Sequence, residues 1–293
     1  MHRSGTSAFA RILNLLGAAL PKHIMEPTSS NEKGHWEPEK LVNLHDELLS
    51  EVGTRWDDLN QLPLLESGRL AHYKSEITRL LEEEYGDSPM FVVKDPRMCR
   101  LMPIWRDVLK QLRIEARFVL PFRNPLEVAQ SLRKRNGLPV GHGCLLWLRD
   151  VLESEYETRH ARRVFVHYQK LLNAPLETAK DVGMKIIDNF SDTNGEIDQA
   201  LSSFVEFQDR HNIAKFDDLR YPLVAYQWLR EVYACCARLV DDPLDGTIQR
   251  RLDAVRDAFR SVTVPLTVLL AAHQSILEES SFAALPAGRP EGR

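Results

Sequence analysis

Apolar residues recur at helical spacing almost from the first position. Phe9, Ile12, Leu13, Leu16 and Leu20 share one face of Thr6 to Leu20, which predicts a helix with Ser4 or Thr6 near its N-cap. Glu26 to Gly34 is polar and loop-like. Pro38 to Val52 is amphipathic, with Leu41, Leu44, Leu48 and Leu49 on one face, and Gly68 to Tyr85 is a second surface helix. The period then changes. Met90-Phe91-Val92-Val93 is a short apolar run that empties into Lys94-Asp95-Pro96-Arg97, as a buried strand empties into a polar loop. Leu101 to Leu112 is helical. Ala116 to Phe122 is a second buried strand, and Pro125 starts a helix with Asn124 as its cap. Leu145 to Arg162 reads as a long charged helix and Val164 to His167 as a third strand.

Strands separated by helices predict an α/β fold with a parallel sheet and right-handed crossovers. From about residue 176 to 281 the pattern is mainly helical, over Glu196 to Phe207, Leu219 to Leu239, Ile248 to Phe259 and Pro265 to Glu279. No linker divides the chain. The expectation is one α/β domain over residues 1–281, with a helical C-terminal portion, and a flexible tail over 282–293.

Composition narrows the partners. The 293 residues are 43% hydrophobic, enough for a sizeable core, and the net charge of −4 disfavours nucleic acid as a general partner. An anionic ligand therefore needs a local pocket. Cys99, Cys144, Cys235 and Cys236 form no CxxC pair and read as reduced core thiols of a cytoplasmic protein. No stretch approaches the roughly 20 apolar residues of a membrane span. Arg11 and Asn14 interrupt Ala8 to Leu20, which argues against a signal peptide. The ten histidines show no HxH or HExxH spacing, so no metal is expected.

Four polar clusters fall where ligands of open α/β sheets bind, beyond the strand ends, and two of them come first. In Arg3-Ser4-Gly5-Thr6-Ser7, Gly5 permits a tight turn, and backbone N–H groups at the helix start join three hydroxyls around an anion. The turn has no lysine and is not GxxxxGK[ST], which counts against ATP or GTP hydrolysis. In the second cluster Arg123 ends a strand and Ser131 follows eight residues on, about two helical turns later. Each alone would pass for a surface arginine or a neutral helix serine.

Together these motifs resemble the sulfotransferase family, in its bacterial and carbohydrate-type branch. NEKGHWEPEKLVNLHDELL, VVKDPRMCRLMPIW and VFVHYQKLLNAPLETAKDVG agree with it in order, and the likeness spans about Met1 to Gly183. It implies a P-loop-like parallel sheet flanked by helices, with 3′-phosphoadenosine 5′-phosphosulfate (PAPS) as metal-free sulfuryl donor. Arg3, Ser4, Gly5, Thr6 and Ser7 would hold the 5′-phosphosulfate, and Arg123 and Ser131 the 3′-phosphate. Arg3 would also neutralise the departing phosphate oxygen. The acceptor would be a hydroxyl of a carbohydrate or glycolipid.

The cytosolic members' base, a histidine two residues after a strand-end lysine, is absent: Pro96 stands two after Lys94. This points to a carboxylate from the segment after the first helix, Glu37 before Glu26, with His35 third. Burial near Trp36 would raise the Glu37 carboxyl, although Glu37 could also simply cap the helix at Pro38. Lys94, Asp95 and Arg97 are expected to face the cleft. Arg97 would hold the donor or an acidic acceptor, or be oriented by Asp95. His142 and Trp147 lie where an acceptor would dock, but packing is the preferred reading for both.

The family's turn follows a central strand, and Met1 stands where the residue just before the turn belongs. The expectation is an upstream start with an apolar strand; a chain starting at Met1 would be weakly active or inactive. Two other functions compete: a P-loop kinase-like phosphotransferase, and a non-catalytic, degenerate nucleotide-binding family member.

Overall fold

A computed structural model describes residues 1–28, 34–191, 193–206 and 224–263. The expected helix over Pro265 to Glu279, the tail and residues 219–223 lie outside them. The fold is α/β and mostly helical. Its sheet has two parallel strands, β1 (Arg117–Phe122) and β2 (Arg162–His167), in register from Arg117 opposite Arg162 to Phe122 opposite His167.

Three apolar clusters organise the helices. In the first, α2 (Glu39–Glu51), α3 (Ser67–Tyr85) and α4 (Met98–Gln111) bury Leu41, Leu48, Tyr73, Ile77, Leu101 and Trp105 against one another. In the second, α1 (Thr6–Leu15) and α8 (Pro175–Ile186) pack Phe9, Ile12, Ala179 and Val182 on Val164 and Val166 of β2. In the third, α5 (Pro125–Asn136) and α6 (Val140–Glu157) pack with α10 (Val224–Leu239) and the helix α11 over residues 246–263. Short α7 (Tyr168–Asn173) and α9 (Gly195–Glu206) complete the described elements. The crossover β1–α5–α6–β2 joins parallel strands, as the alternation of strand and helix predicts.

The cap assignment at α5 holds: Asn124 Oδ1 accepts the Leu126 amide at 2.9 Å, with Pro125 at the first helical position. All four cysteines are buried and free. No helix among the described residues is long and apolar enough to cross a membrane.

Four expectations change. Helix α1 ends at Leu15 rather than Leu20, because Gly17 turns the chain at φ +103° and Ala18 donates back to the Leu13 carbonyl at 2.9 Å. Neither Ser4 nor Thr6 caps α1; its N-cap is Gly5 at φ +88°. Helix α6 starts at Val140 and stops at Glu157, where the Thr158 hydroxyl donates to the Ser154 carbonyl at 2.7 Å and frees Arg162 to begin β2. Finally, Met90–Val93 forms no strand. It makes one parallel bridge, Phe91 with Ala19, and no bridge to β1.

Candidate functional site

The turn before α1 is tight for a steric reason. A Cβ at Gly5 would lie 2.3 Å from Cδ2 of Tyr168, so the first residue of α7 lies directly over the turn. Arg3 also has a left-handed backbone, at φ +61°, which costs a non-glycine residue about 1 kcal/mol. Ser4 is fully buried, and its Oγ has no hydrogen-bond partner.

The turn meets the second cluster directly. Arg3 Nε donates to Ser131 Oγ at 2.8 Å, across 128 positions of sequence. Arg123 stacks over the Tyr168 ring at 4.9 Å and donates from Nε to Glu127 at 2.6 Å. Burial lowers the Arg3 guanidinium pKa, and the Arg123 charge lowers it further. Arg3, Arg123 and Ser131 thus form one group beside the turn.

Arg135 joins them, one helical turn beyond Ser131 on α5. Its guanidinium lies 5.7 Å from the Trp56 ring, and burial, then repulsion from Arg3, push its pKa down to about 10. The sequence carried the signal in the four-residue spacing. His2 packs edge-on against Trp56 at 4.5 Å, with Nε2 buried and unpartnered. Burial, and then the Arg135 charge, hold its pKa well below the usual histidine range.

The carboxylate and lysine expected in the cleft find each other. Lys94 Nζ donates to Glu37 Oε1, to the His35 carbonyl at 3.1 Å and to Ser7 Oγ at 3.3 Å. A bridge between Ile24 and Pro38 and the bond from the Met25 amide to the Glu37 carbonyl anchor this segment, and Trp36 is left-handed at φ +57°. Pro38 is the N-cap of α2 and makes no side-chain cap bond, so Glu37 is not its cap. Burial raises the Glu37 carboxyl pKa, Asp95 adds to this, and Lys94 and Arg97 oppose it. Burial lowers the Lys94 pKa, and Glu37 opposes that shift. Both partners are pushed toward their neutral forms, as desolvation requires.

Behind this pair lies a buried chain of hydrogen bonds. Trp105 Nε1, which can only donate, bonds His45 Nε2 at 3.0 Å. His45 therefore carries its proton on Nδ1 and donates it to Asp95 at 2.7 Å. Asp95 accepts the Arg97 amide at 2.9 Å and its Nη1 at 3.0 Å, while Asp46 takes Nε and Nη2 at 2.5 and 2.7 Å. Arg97 is thus oriented by two carboxylates rather than held out for a ligand. The remaining candidates sit apart in role. Glu26 is exposed. His35 Nε2 meets Thr28 Oγ1 at 3.0 Å, His142 Nε2 meets the Asp57 carbonyl at 2.8 Å, and buried Trp147 donates to the Arg123 carbonyl at 3.0 Å. Trp147 is a packing residue.

The chain matches no family model, no curated protein and no solved structure. Its chemistry has to be read from the site itself. Arg3 feels the charges of Arg123 and Arg135 beside the glycine turn, His2 Nε2 and Ser4 Oγ are buried there without partners, and the Lys94–Glu37 pair meets the turn at Ser7. Among the described residues, the only group of three or more histidine, cysteine or carboxylate ligand atoms close enough to share an ion is that of His23, Glu83 and Glu84. There His23 already bonds Glu84 at 2.8 Å and Lys40 pairs with both carboxylates.

Proposed function

We propose that this site binds PAPS and transfers its sulfuryl group to a hydroxyl. The observation that carries the reading is the buried, unpartnered Ser4 Oγ in a turn on which the charges of Arg3, Arg123 and Arg135 converge. Cations held close against mutual repulsion, around buried polar atoms without partners, suit a multiply charged anion. Strained backbone at Arg3 and Trp36, on either side of the site, points the same way.

In this reading the turn holds the 5′-phosphosulfate and Arg123 with Ser131 the 3′-phosphate, with Arg135 as an added cation. The acceptor oxygen attacks sulfur, the bond from sulfur to the bridging phosphate oxygen breaks, and Glu37 takes the hydroxyl proton. Charge growing on the departing phosphate falls to Arg3, and to Lys94 across Ser7. A carbohydrate or glycolipid hydroxyl is the acceptor we propose, on the sequence resemblance.

One observation favours phosphoryl transfer instead: Lys94 brings to the turn the lysine its own sequence lacks. Calorimetric titration separates the two. Adenosine 3′,5′-bisphosphate should bind in preference to 5′-AMP and ATP–magnesium, and Arg123→Ala should abolish that preference. Tighter binding of ATP–magnesium would favour the kinase-like reading. Bisphosphate binding without turnover would make the chain a nucleotide-binding protein only.

A further inference from the structure

We infer that Lys94 is a shuttle: a phosphate or sulfate group seated in the turn from Arg3 to Ser7 draws its ammonium off Glu37 and so frees that carboxylate to act as a base. The inference rests on the anion-binding reading of the turn and adds to it an order of events, donor before acceptor.

Lys94 sits between two places that want a cation. Its Nζ has three donors and three acceptors: Glu37 Oε1, the His35 carbonyl at 3.1 Å and Ser7 Oγ at 3.3 Å. Ser7 lies in the first turn of α1, so an anion held by the turn meets the ammonium at its longest contact. The Lys94 and Glu37 side chains are only 10% and 6% exposed. A buried ammonium is costly without an anion beside it. Lys94 therefore does not retire into water; it exchanges one anion for another. A doubly charged ligand attracts it more strongly than the single charge of Glu37. Its flexible four-carbon stem lets Nζ follow.

Glu37 stays behind. The bond from the Met25 amide to its carbonyl, at 2.9 Å, ties down its backbone. Its Oε2 lies 3.9 Å from Arg97 Nη1, and Arg97 is itself held by Asp46 and Asp95. Asp95 and Arg135 also face the carboxylate, and Asp95, Arg135, His35 and His2 face the ammonium. When Lys94 leaves, Glu37 loses a positive neighbour, and its carboxyl pKa, already raised by burial, rises further. Oε1 loses its hydrogen-bond donor in the same step. The base becomes stronger and open to a hydroxyl proton only once the anion is in place.

Two measurements on the full chain test this. In crystals of the wild-type chain soaked with adenosine 3′,5′-bisphosphate, Lys94 Nζ should lie within about 3.2 Å of a phosphate oxygen and more than about 4 Å from Glu37. In solution, the Glu37 carboxyl carbon is followed by NMR and assigned with Glu37→Gln. Its titration midpoint should rise by at least about one pH unit when the bisphosphate binds, a tenfold gain in proton affinity. In Lys94→Met the midpoint should start high and respond less. Pyrophosphate, which lacks the nucleoside, should act as the bisphosphate does. A bound anion with Lys94 still on Glu37, an unmoved midpoint, or an equal response of Lys94→Met would overturn the inference and leave the nucleotide reading standing. A response to pyrophosphate without bisphosphate binding would uphold the shuttle and remove the nucleotide reading. Binding of neither would overturn both.

Discussion

At the residue scale, Glu37 carries the sharpest chemical prediction. Its carboxyl is buried and raised, and Lys94 holds it. If the proposed sulfuryl transfer holds, Glu37→Gln keeps the shape and removes the proposed base, so turnover should fall roughly 10²–10⁴-fold while bisphosphate affinity stays within a few-fold. A general base must be ionised, so wild-type kcat/KM should rise with pH along an acid limb placed above the ordinary carboxylate value of 4.5. Stopped assays across pH 4–8 check both; an unchanged limb in the variant would remove Glu37 from the mechanism. Asp95 has the opposite sign. Burial pushes its carboxyl up, but the bond from His45 and the charge of Arg97 outweigh this and hold it below its usual value. A depressed carboxyl stabilises the fold above its unfolded pKa, about 3.9, and loses that contribution as pH falls through the folded value, about 2. Urea unfolding of Asp95→Asn should therefore show a loss of about 2 kcal/mol at pH 7 that shrinks below about pH 4. The site was partly legible from residue types. Arg3, Ser131, Glu37 and Lys94 stood out at element ends, but their pairing spans 128 and 57 positions, which no local pattern encodes. His45 was hidden because it sits on the apolar face of α2, where the pattern reads only as core.

At the element scale, the turn and α5 position the cations. Gly5 combines a positive φ with contact against Tyr168, two separable penalties for any side chain. Gly5→Ala should destabilise by more than the roughly 1 kcal/mol of the backbone alone. Adding Tyr168→Ala should recover the steric part and leave the backbone part, so the two changes should be non-additive in thermal unfolding. Simple additivity would mean that the ring does not press on the turn. Elements were legible where local signals were complete: Asn124 and Pro125 start α5, and the leucines of α2 mark its buried face. They failed where a partner decides. Met90–Val93 has the apolar run of a strand, yet a strand exists through its neighbours, and here one bridge to Ala19 is all it has among the described residues.

At the scale of the whole molecule, β1 is where the three apolar clusters touch. Phe118 packs with the α2–α4 cluster, Val119 with the α1–α8 cluster, and Leu120 and Phe122 with the cluster of α5, α6, α10 and α11. The Arg3 turn leads into α1 of the second cluster, and Lys94 follows Val93 of the first, so the site draws on both clusters. Local stability should follow that division, because backbone opens most easily where ladders and buried contacts are fewest. In the chain alone, amides of Val164, Phe165 and Val166 in buried β2 should exchange among the slowest. Those of Phe91 and Val93 should exchange at least about tenfold faster, equivalent to about 1.4 kcal/mol of local opening. The physical contrast is between two apolar runs that read alike in sequence, one with a continuous ladder on β1 and one with a single bridge. Native-state exchange followed by NMR measures both in one experiment. Equal protection of the two runs would mean that Met90–Val93 is paired in solution beyond its single bridge to Ala19.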